Sequence, residues 1–141
     1  MPLPFTAADW KGVSFDALCP GRHTLIGATQ VIAEQQTDYQ HLVIADVPTL
    51  GRGLFLDGNV QLLACGEQAY HERLALLPLL VHEQPKRVLI LGGGDGCAAR
   101  EALRDPRVRQ ITLVELDAAV IDACATHLSK LNADSLRDPR V

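Results

Sequence analysis

The stretch that most constrains this chain runs from Arg87 to Asp117, RVLILGGGDGCAAREALRDPRVRQITLVELD. Val88 to Leu91 has the length and branching of a buried parallel strand. It ends in Gly92-Gly93-Gly94-Asp95-Gly96. A helix is expected from Cys97 to about Leu103, halted at Asp105-Pro106 because proline cannot continue it. A second apolar run, Ile111 to Val114, ends in Glu115. Together these make a βαβ unit with a glycine-rich first turn and an acid at the tip of the second strand. That arrangement favours a nucleoside ligand. Glycine lets the backbone approach a ligand and adopt positive φ, and a carboxylate about 20 residues on can accept both ribose hydroxyls.

The turn departs from the familiar phosphate loops. In a G-x-G-x-x-G frame starting at Gly92, the third glycine is Cys97. In an acid-x-Gly-x-Gly-x-Gly frame, the acid position is Ile90. Asp95 is the informative residue, because a carboxylate there repels a phosphate and attracts a cation. A sulfonium nucleoside or an amine suits that charge. Plainer readings stand beside these. The turn could be structural only, and Glu115 could be a solvated strand end. Asp117 reads as a helix N-cap. His71 could be a satisfied core residue, Gln40 and Gln61 surface residues on strands, and Asp57 only a turn residue.

The rest of the chain reads in order. Residues 1–21 are weakly patterned, broken by Pro2, Pro4, Pro20 and Gly21. From His23 to about Gly66 the pattern is β. Thr24 to Glu34 makes a strand or two with a break at Gly27. Tyr39 to Asp46 alternates as a half-buried strand, and Leu54-Phe55-Leu56 and Val60 to Leu63 flank Asp57-Gly58, a type I′ hairpin signal. Short strands joined by turns imply an antiparallel meander. Glu67 to His82 switches to a helical period, with Tyr70, Leu74, Leu77 and Val81 on one expected apolar face. Pro78 is expected to kink or shorten that helix. Asp117 opens a last helix to about Lys130, with Val120, Ile121, Cys124 and Leu128 as its buried stripe. A polar tail follows, in which Pro139 blocks a helix. Two domains are expected, residues 1–66 and 67–141. The fold class is α/β, a small antiparallel β domain followed by a parallel sheet with helices. A sheet of only two parallel strands leaves apolar faces uncovered, so the parallel domain is expected to be incomplete, its C-terminal part lying beyond Val141.

Composition narrows the partners. Apolar residues are 48% and charged residues 21%, with net charge −4. No basic stripe appears, so no nucleic-acid partner is expected. Cys19, Cys65, Cys97 and Cys124 are far apart with no CxxC pair, which points to free thiols in a reducing compartment and not to a disulfide or zinc frame. The N-terminus lacks the features of a signal peptide, and no stretch approaches a membrane span. A cytoplasmic protein is the expectation.

The motifs taken together resemble the spermidine synthase (polyamine aminopropyltransferase) family. The pieces are Tyr39-Gln40, Leu56-Asp57-Gly58-Asn59-Val60-Gln61, Glu67 with Tyr70-His71-Glu72, Pro78-Leu79-Leu80, Gly92 to Gly96 with Arg100-Glu101, Val114-Glu115-Leu116-Asp117, and Asp138 to Val141. The resemblance implies a β domain followed by a Rossmann-like, methyltransferase-type domain. It implies transfer of an aminopropyl group from decarboxylated S-adenosylmethionine to putrescine or a related polyamine, giving spermidine and 5′-methylthioadenosine. Decarboxylated S-adenosylmethionine is then a co-substrate, with no metal and no redox cofactor, and the protein is a homodimer or larger homo-oligomer. Carried over by position, Gln40, His71, Asp95 and Glu115 bind substrates. Glu115 holds the ribose hydroxyls, Asp95 faces the aminopropyl amine and sulfonium, and Tyr70 and Gln61 line the amine groove.

The chain departs from the family at three points, the mildest being Cys97 in place of a frequent glycine or small residue after the loop. Gly66-Glu67 stands where the family commonly has Asp-Glu, which leaves the amine acceptor open. The family's catalytic aspartate and its adenine-contacting Asp-Gly would both fall beyond Val141, so no residue here is assigned as base, and the isolated chain is expected to be inactive. Two other readings remain: an S-adenosylmethionine-dependent methyltransferase, against which Ile90 and Asp95 argue, and a non-catalytic homologue acting as an assembly module.

Overall fold

The computed structural model describes residues 12–16 and 23–141. The chain divides into two compact units between Leu63 and Ala64. Among the described residues, the first holds six strands: β1 (Gly12–Asp16), β2 (His23–Gly27), β3 (Gln30–Gln36), β4 (His41–Val47), β5 (Gly51–Leu56) and β6 (Asn59–Leu63). β1 and β2 form an antiparallel pair, and β3 to β6 form a four-stranded antiparallel meander in sequence order. The weak patterning of residues 1–21 concealed β1; the remainder of that segment, with Cys19, lies outside the described residues.

The β5–β6 turn is the expected one. Asp57 has φ 50° and Gly58 φ 73°, the two positive values a type I′ turn requires. β4 differs from expectation. It is buried on both faces, not one: Val43, Ala45 and Val47 pack with Phe55, and Leu42 and Ile44 are also buried. Its Leu-Val-Ile-Ala run is apolar at every residue, so both faces of the strand carry side chains to bury.

The second unit contains α1 (Glu67–Val81), β7 (Arg87–Leu91), α2 (Cys97–Leu103), β8 (Gln110–Val114), α3 (Ala118–His127) and the single turn α4 (Ser129–Asn132), followed by a 3₁₀ turn at Ser135–Arg137. β7 and β8 pair in parallel, Val88 opposite Ile111 and Leu91 opposite Val114. The βαβ unit is therefore as the sequence indicates. Leu79, Ala99, Ala102, Val108 and Ile111 form its core, with Val88, Ile90 and Leu113 against them. The opposite face of the pair is open, with Leu89 62% and Leu91 77% exposed. β7 is thus partly buried on one face and exposed on the other.

α1 narrows one expectation and overturns another. It runs through Pro78 to Val81 without shortening, and the His82 amide closes the end on the Pro78 carbonyl at 3.1 Å. The expected apolar face points outward: Tyr70, Leu74, Leu77 and Val81 are all more than half exposed. The inward face is instead Glu67, His71, Ala75 and Leu79, spaced four apart on one side of the helix. The last helix is also shorter than expected. α3 ends at His127, and Leu128, at φ −114° and ψ 14°, breaks it from α4. Val120, Cys124 and Leu128 are buried as its stripe predicts. Asp117 caps the helix, its side chain accepting from the Ala119 amide at 3.0 Å.

Candidate functional site

The glycine turn joins β7 to α2. Gly93 and Gly96 have φ of 79° and 80°, values that side chains with a Cβ rarely adopt. Gly94 is glycine for a different reason. A Cβ on it would lie 2.9 Å from Glu115 Oε2 and 3.1 Å from Val120 Cγ1. The carboxylate needs that closeness, since Glu115 Oε2 accepts from the Gly94 amide at 2.9 Å while Oε1 accepts from the Leu116 amide at 2.8 Å. Backbone amides from both strand ends thus hold the acid at the tip of β8 in one orientation.

Asp95 is fixed in a similar way. Its Oδ1 accepts from the Cys97 amide at 2.7 Å, at the start of α2. Its backbone carbonyl accepts from Asn132 Nδ2 at 2.9 Å, and Ser135 Oγ donates to the Gly96 carbonyl at 2.6 Å. Asn132 and Ser135 are buried and brace the turn from below. The sequence reading missed both, because they fall in a tail that looked merely polar. Their side-chain types carry no periodic signal, and only the fold shows that loop carbonyls are what they satisfy.

His71 reaches the same turn from α1. Its Nδ1 lies 2.9 Å from the Glu67 carbonyl and 3.0 Å from Glu67 Oε2. A carbonyl oxygen can only accept, so Nδ1 carries a proton. Nε2 then faces Asp95 Oδ1 at 3.9 Å, beyond hydrogen-bond reach. The Tyr70 ring meets His71 edge-on, centroids 4.9 Å apart, with most of Tyr70 exposed.

Glu67 is itself held. Arg100, from α2, donates to both of its oxygens, at 2.8 and 3.0 Å, and to Glu101 Oε1 at 2.8 Å. Burial pushes the Glu67 carboxyl up, but the Arg100 hydrogen bonds and charge, together with His71, more than offset this and hold it below the usual carboxylate range. Glu67, His71 and Cys97 offer metal-ligand atoms within 4.8 Å of one another. Their chemistry does not suit a resident metal. Arg100 occupies both Glu67 oxygens, and burial, helped by the Asp95 and Glu67 charges, pushes the Cys97 thiol up, away from the thiolate a metal requires. Cys124, also buried and free, is pushed up to about 12, chiefly by burial.

Among the sequence-selected residues, the second unit gathers His71, Asp95, Glu115 and the glycines Gly92, Gly93, Gly94 and Gly96 around one turn, with Tyr70 beside His71. Gln40 and Gln61 belong to the first unit. Gln40 is not on a strand; it closes a turn before β4, its amide donating to Thr37 Oγ1 at 3.0 Å. Gln61 is exposed and sits at a bulge. Phe55 pairs with Val60 and Leu54 with Leu62, so Gln61 has no opposite residue in the ladder. Bulges of this kind re-aim a side chain.

Comparison with known proteins identifies relatives of this chain. Residues 67–141 match the family described as spermine/spermidine synthase domain. The polyamine aminopropyltransferase of Serratia proteamaculans (strain 568) is 47% identical over 130 residues, 92% of this chain and 45% of that protein. That of Erwinia tasmaniensis is 42% identical over 126 residues, 89% of this chain and 44% of that protein. The crystal structure of spermidine synthase from Thermotoga maritima superposes with a TM-score of 0.81 at 37% identity, over 85% of this chain and 42% of that one. A crystal structure of spermidine synthase in complex with the transition state analogue AdoDATO gives the same score and identity, over 41% of its chain. This chain thus spans less than half the length of the curated relatives it matches. The fold is the expected one, an antiparallel β sheet followed by an incomplete Rossmann-like parallel sheet with helices. By the domain match and the shared fold, the chain belongs to the spermine/spermidine synthase family.

Proposed function

We propose that this chain supplies the nucleoside and amine-binding part of a polyamine aminopropyltransferase, acting on decarboxylated S-adenosylmethionine and putrescine or a related polyamine. The observation that carries the reading is the pair of carboxylates flanking one glycine turn. Glu115 is held by the Gly94 amide and Asp95 by the Cys97 amide. Glu115 accepts the ribose hydroxyls. The glycine turn lets the backbone lie close to the nucleoside. Asp95 takes the alkylammonium, with His71 Nε2 beside it, 3.9 Å from Asp95 Oδ1. Tyr70 lines the approach, and Gln40 and Gln61 are assigned to binding on their motifs alone.

The chemistry follows from the substrate. The amine nitrogen attacks the aminopropyl carbon in line with its bond to sulfur. The N–C bond forms as the C–S bond breaks, and the electron pair leaves on sulfur as a neutral thioether. The amine must first lose a proton, because an alkyl amine with pKa about 10 is mostly protonated at neutral pH. Alignment of nitrogen, carbon and sulfur accounts for most of what a protein contributes to such a step. Anionic side chains stabilise the cationic donor and orient the amine. No residue of 1–141 is assigned as the base, and we propose that these residues bind without turning over. The protein is proposed to work as a homo-oligomer in the cytoplasm. Among the described residues, no helix is long and apolar enough to cross a membrane.

Titration calorimetry with 5′-methylthioadenosine tests the site. The unaltered chain binds it, and Glu115→Gln weakens binding about 10- to 100-fold, as loss of charge-assisted hydrogen bonds worth about 1.5–3 kcal/mol implies. Equal affinity in the two proteins overturns the assignment of Glu115.

A further inference from the structure

The segment after α3 spends its buried polar groups on the glycine turn. Asn132 is fully buried and Ser135 nearly so, a placement that is unfavourable for polar side chains unless they are paired. The Asn132 amide is paired at both ends. Nδ2 donates to the Asp95 carbonyl at 2.9 Å and to the Cys124 carbonyl at 3.3 Å, and Oδ1 accepts from the Asp134 amide at 3.0 Å. Ser135 Oγ donates to the Gly96 carbonyl at 2.6 Å. Two successive carbonyls of the turn are thus tied to residues 37 and 39 positions further along the chain. We propose that Asn132 and Ser135 are positioning residues for the cation site: by fixing the Asp95 and Gly96 peptides they aim the Asp95 carboxylate, and so set the preference for a cationic over a neutral nucleoside.

The covalent geometry of the turn supplies the reasoning. Asp95 stands between Gly93-Gly94 and Gly96, and glycine leaves a backbone its widest choice of φ and ψ. Its carboxylate is located by the bond from the Cys97 amide to Oδ1, at 2.7 Å. That amide and the Gly96 carbonyl are the two ends of one planar peptide. Ser135 at the oxygen and Asp95 Oδ1 at the nitrogen therefore act on the same plane. Asn132 holds the peptide before it, through the Asp95 carbonyl. If either plane turns, the Cys97 amide leaves the carboxylate and the side chain loses its anchor. The fit beneath the turn is close. A Cβ on Gly96 would lie 2.8 Å from Ser135 Oγ, 2.8 Å from Leu136 Cγ and 3.1 Å from Asn132 Cβ. Binding groups have to be held within about 0.5 Å of their working position, and hydrogen bonds from a supporting layer of residues do this.

The inference rests on the reading of Asp95 as the partner of the cation, and its test separates the two. Amide hydrogen exchange of the ligand-free chain, followed by NMR, reads the anchoring of Asp95 at the Cys97 amide. The Ala119 amide, held by Asp117 Oδ1 at 3.0 Å in the same unit, reports any general loss of stability. Asn132→Ala and Ser135→Ala each speed exchange at Cys97 about tenfold more than at Ala119, the effect of losing one hydrogen bond. Calorimetry then compares decarboxylated S-adenosylmethionine, which carries a sulfonium and an ammonium, with 5′-methylthioadenosine, which carries neither. The unaltered chain prefers the cation, and each variant reduces that preference about tenfold, as a misdirected charge-assisted contact implies. If Asn132→Ala does not fold, as circular dichroism would show, Ser135→Ala decides. Equal acceleration at the two amides, or a preference for the cation as large as in the unaltered chain, overturns the proposal and leaves both residues as packing only. If exchange at Cys97 responds as described but the unaltered chain shows no preference for the cation, the reading of Asp95 fails, and the link to selectivity with it, while the anchoring of its carboxylate stands.

Discussion

Gly94 and Glu115 explain each other. The acid reaches back to the turn amide, and the space this needs is the space a Cβ would take. Gly94→Ala is therefore expected to cost about 1–3 kcal/mol, the usual range for forcing extra atoms into a packed site. Urea denaturation would show it as a lower midpoint with unchanged slope. This residue was legible from sequence as part of a glycine run, but the run alone could not say which glycines answer to φ and which to close approach. Asp95 and Glu115 were legible as chemistry: one acid inside the turn and one at the next strand end. His71 was legible only through its motif. Asn132 and Ser135 were not legible at all, because a buried polar side chain that satisfies a distant carbonyl leaves no periodic trace.

At the scale of elements, α1 teaches the most. Its helical period was visible, but the inward face was misread. The hydrophobic rule picks Tyr70, Leu74, Leu77 and Val81, whereas the chain buries Glu67 and His71. Burial of such groups is costly unless they are paired, and the pairing comes from Arg100, 33 residues later on α2. No local pattern can announce a partner that distant. The link also sets a pH dependence. The Glu67 carboxyl sits below its ordinary value of 4.5 in the folded chain. The unfolded chain therefore takes up that proton first, so the contribution to stability is complete above about pH 4.5 and is lost as pH falls through the lower folded value. Melting temperature against pH should fall on the acid side, and Glu67→Gln should flatten that limb relative to the unaltered chain. Asp117, by contrast, was read correctly from sequence as the cap of α3. Asp117→Ala should lower stability by about 1 kcal/mol, measured by the same urea titration, without changing nucleoside affinity beyond that effect.

For the whole molecule, the order of a β meander followed by a βαβ unit was readable from turn signals and from the switch of period at Glu67. What escaped was burial that depends on what packs over each face: β4 is buried on both faces, and β7 is partly buried on one. Leu89 and Leu91 lie on the open face of the parallel pair. The chain carries the two acids proposed to bind substrate, Asp95 and Glu115, while spanning less than half the length of its curated relatives. Accordingly, the 141 residues should bind nucleoside without forming methylthioadenosine, and product detected by chromatography from the isolated chain would contradict that expectation. The central claim is that Asp95 makes the glycine turn a site for a cationic nucleoside that bears no carboxylate. The most direct measurement is calorimetric titration of the chain with decarboxylated S-adenosylmethionine and with S-adenosylmethionine, which differ by that one carboxylate. The account predicts at least about tenfold weaker binding of S-adenosylmethionine, or about 1.4 kcal/mol; equal affinity, or a preference for S-adenosylmethionine, would contradict it.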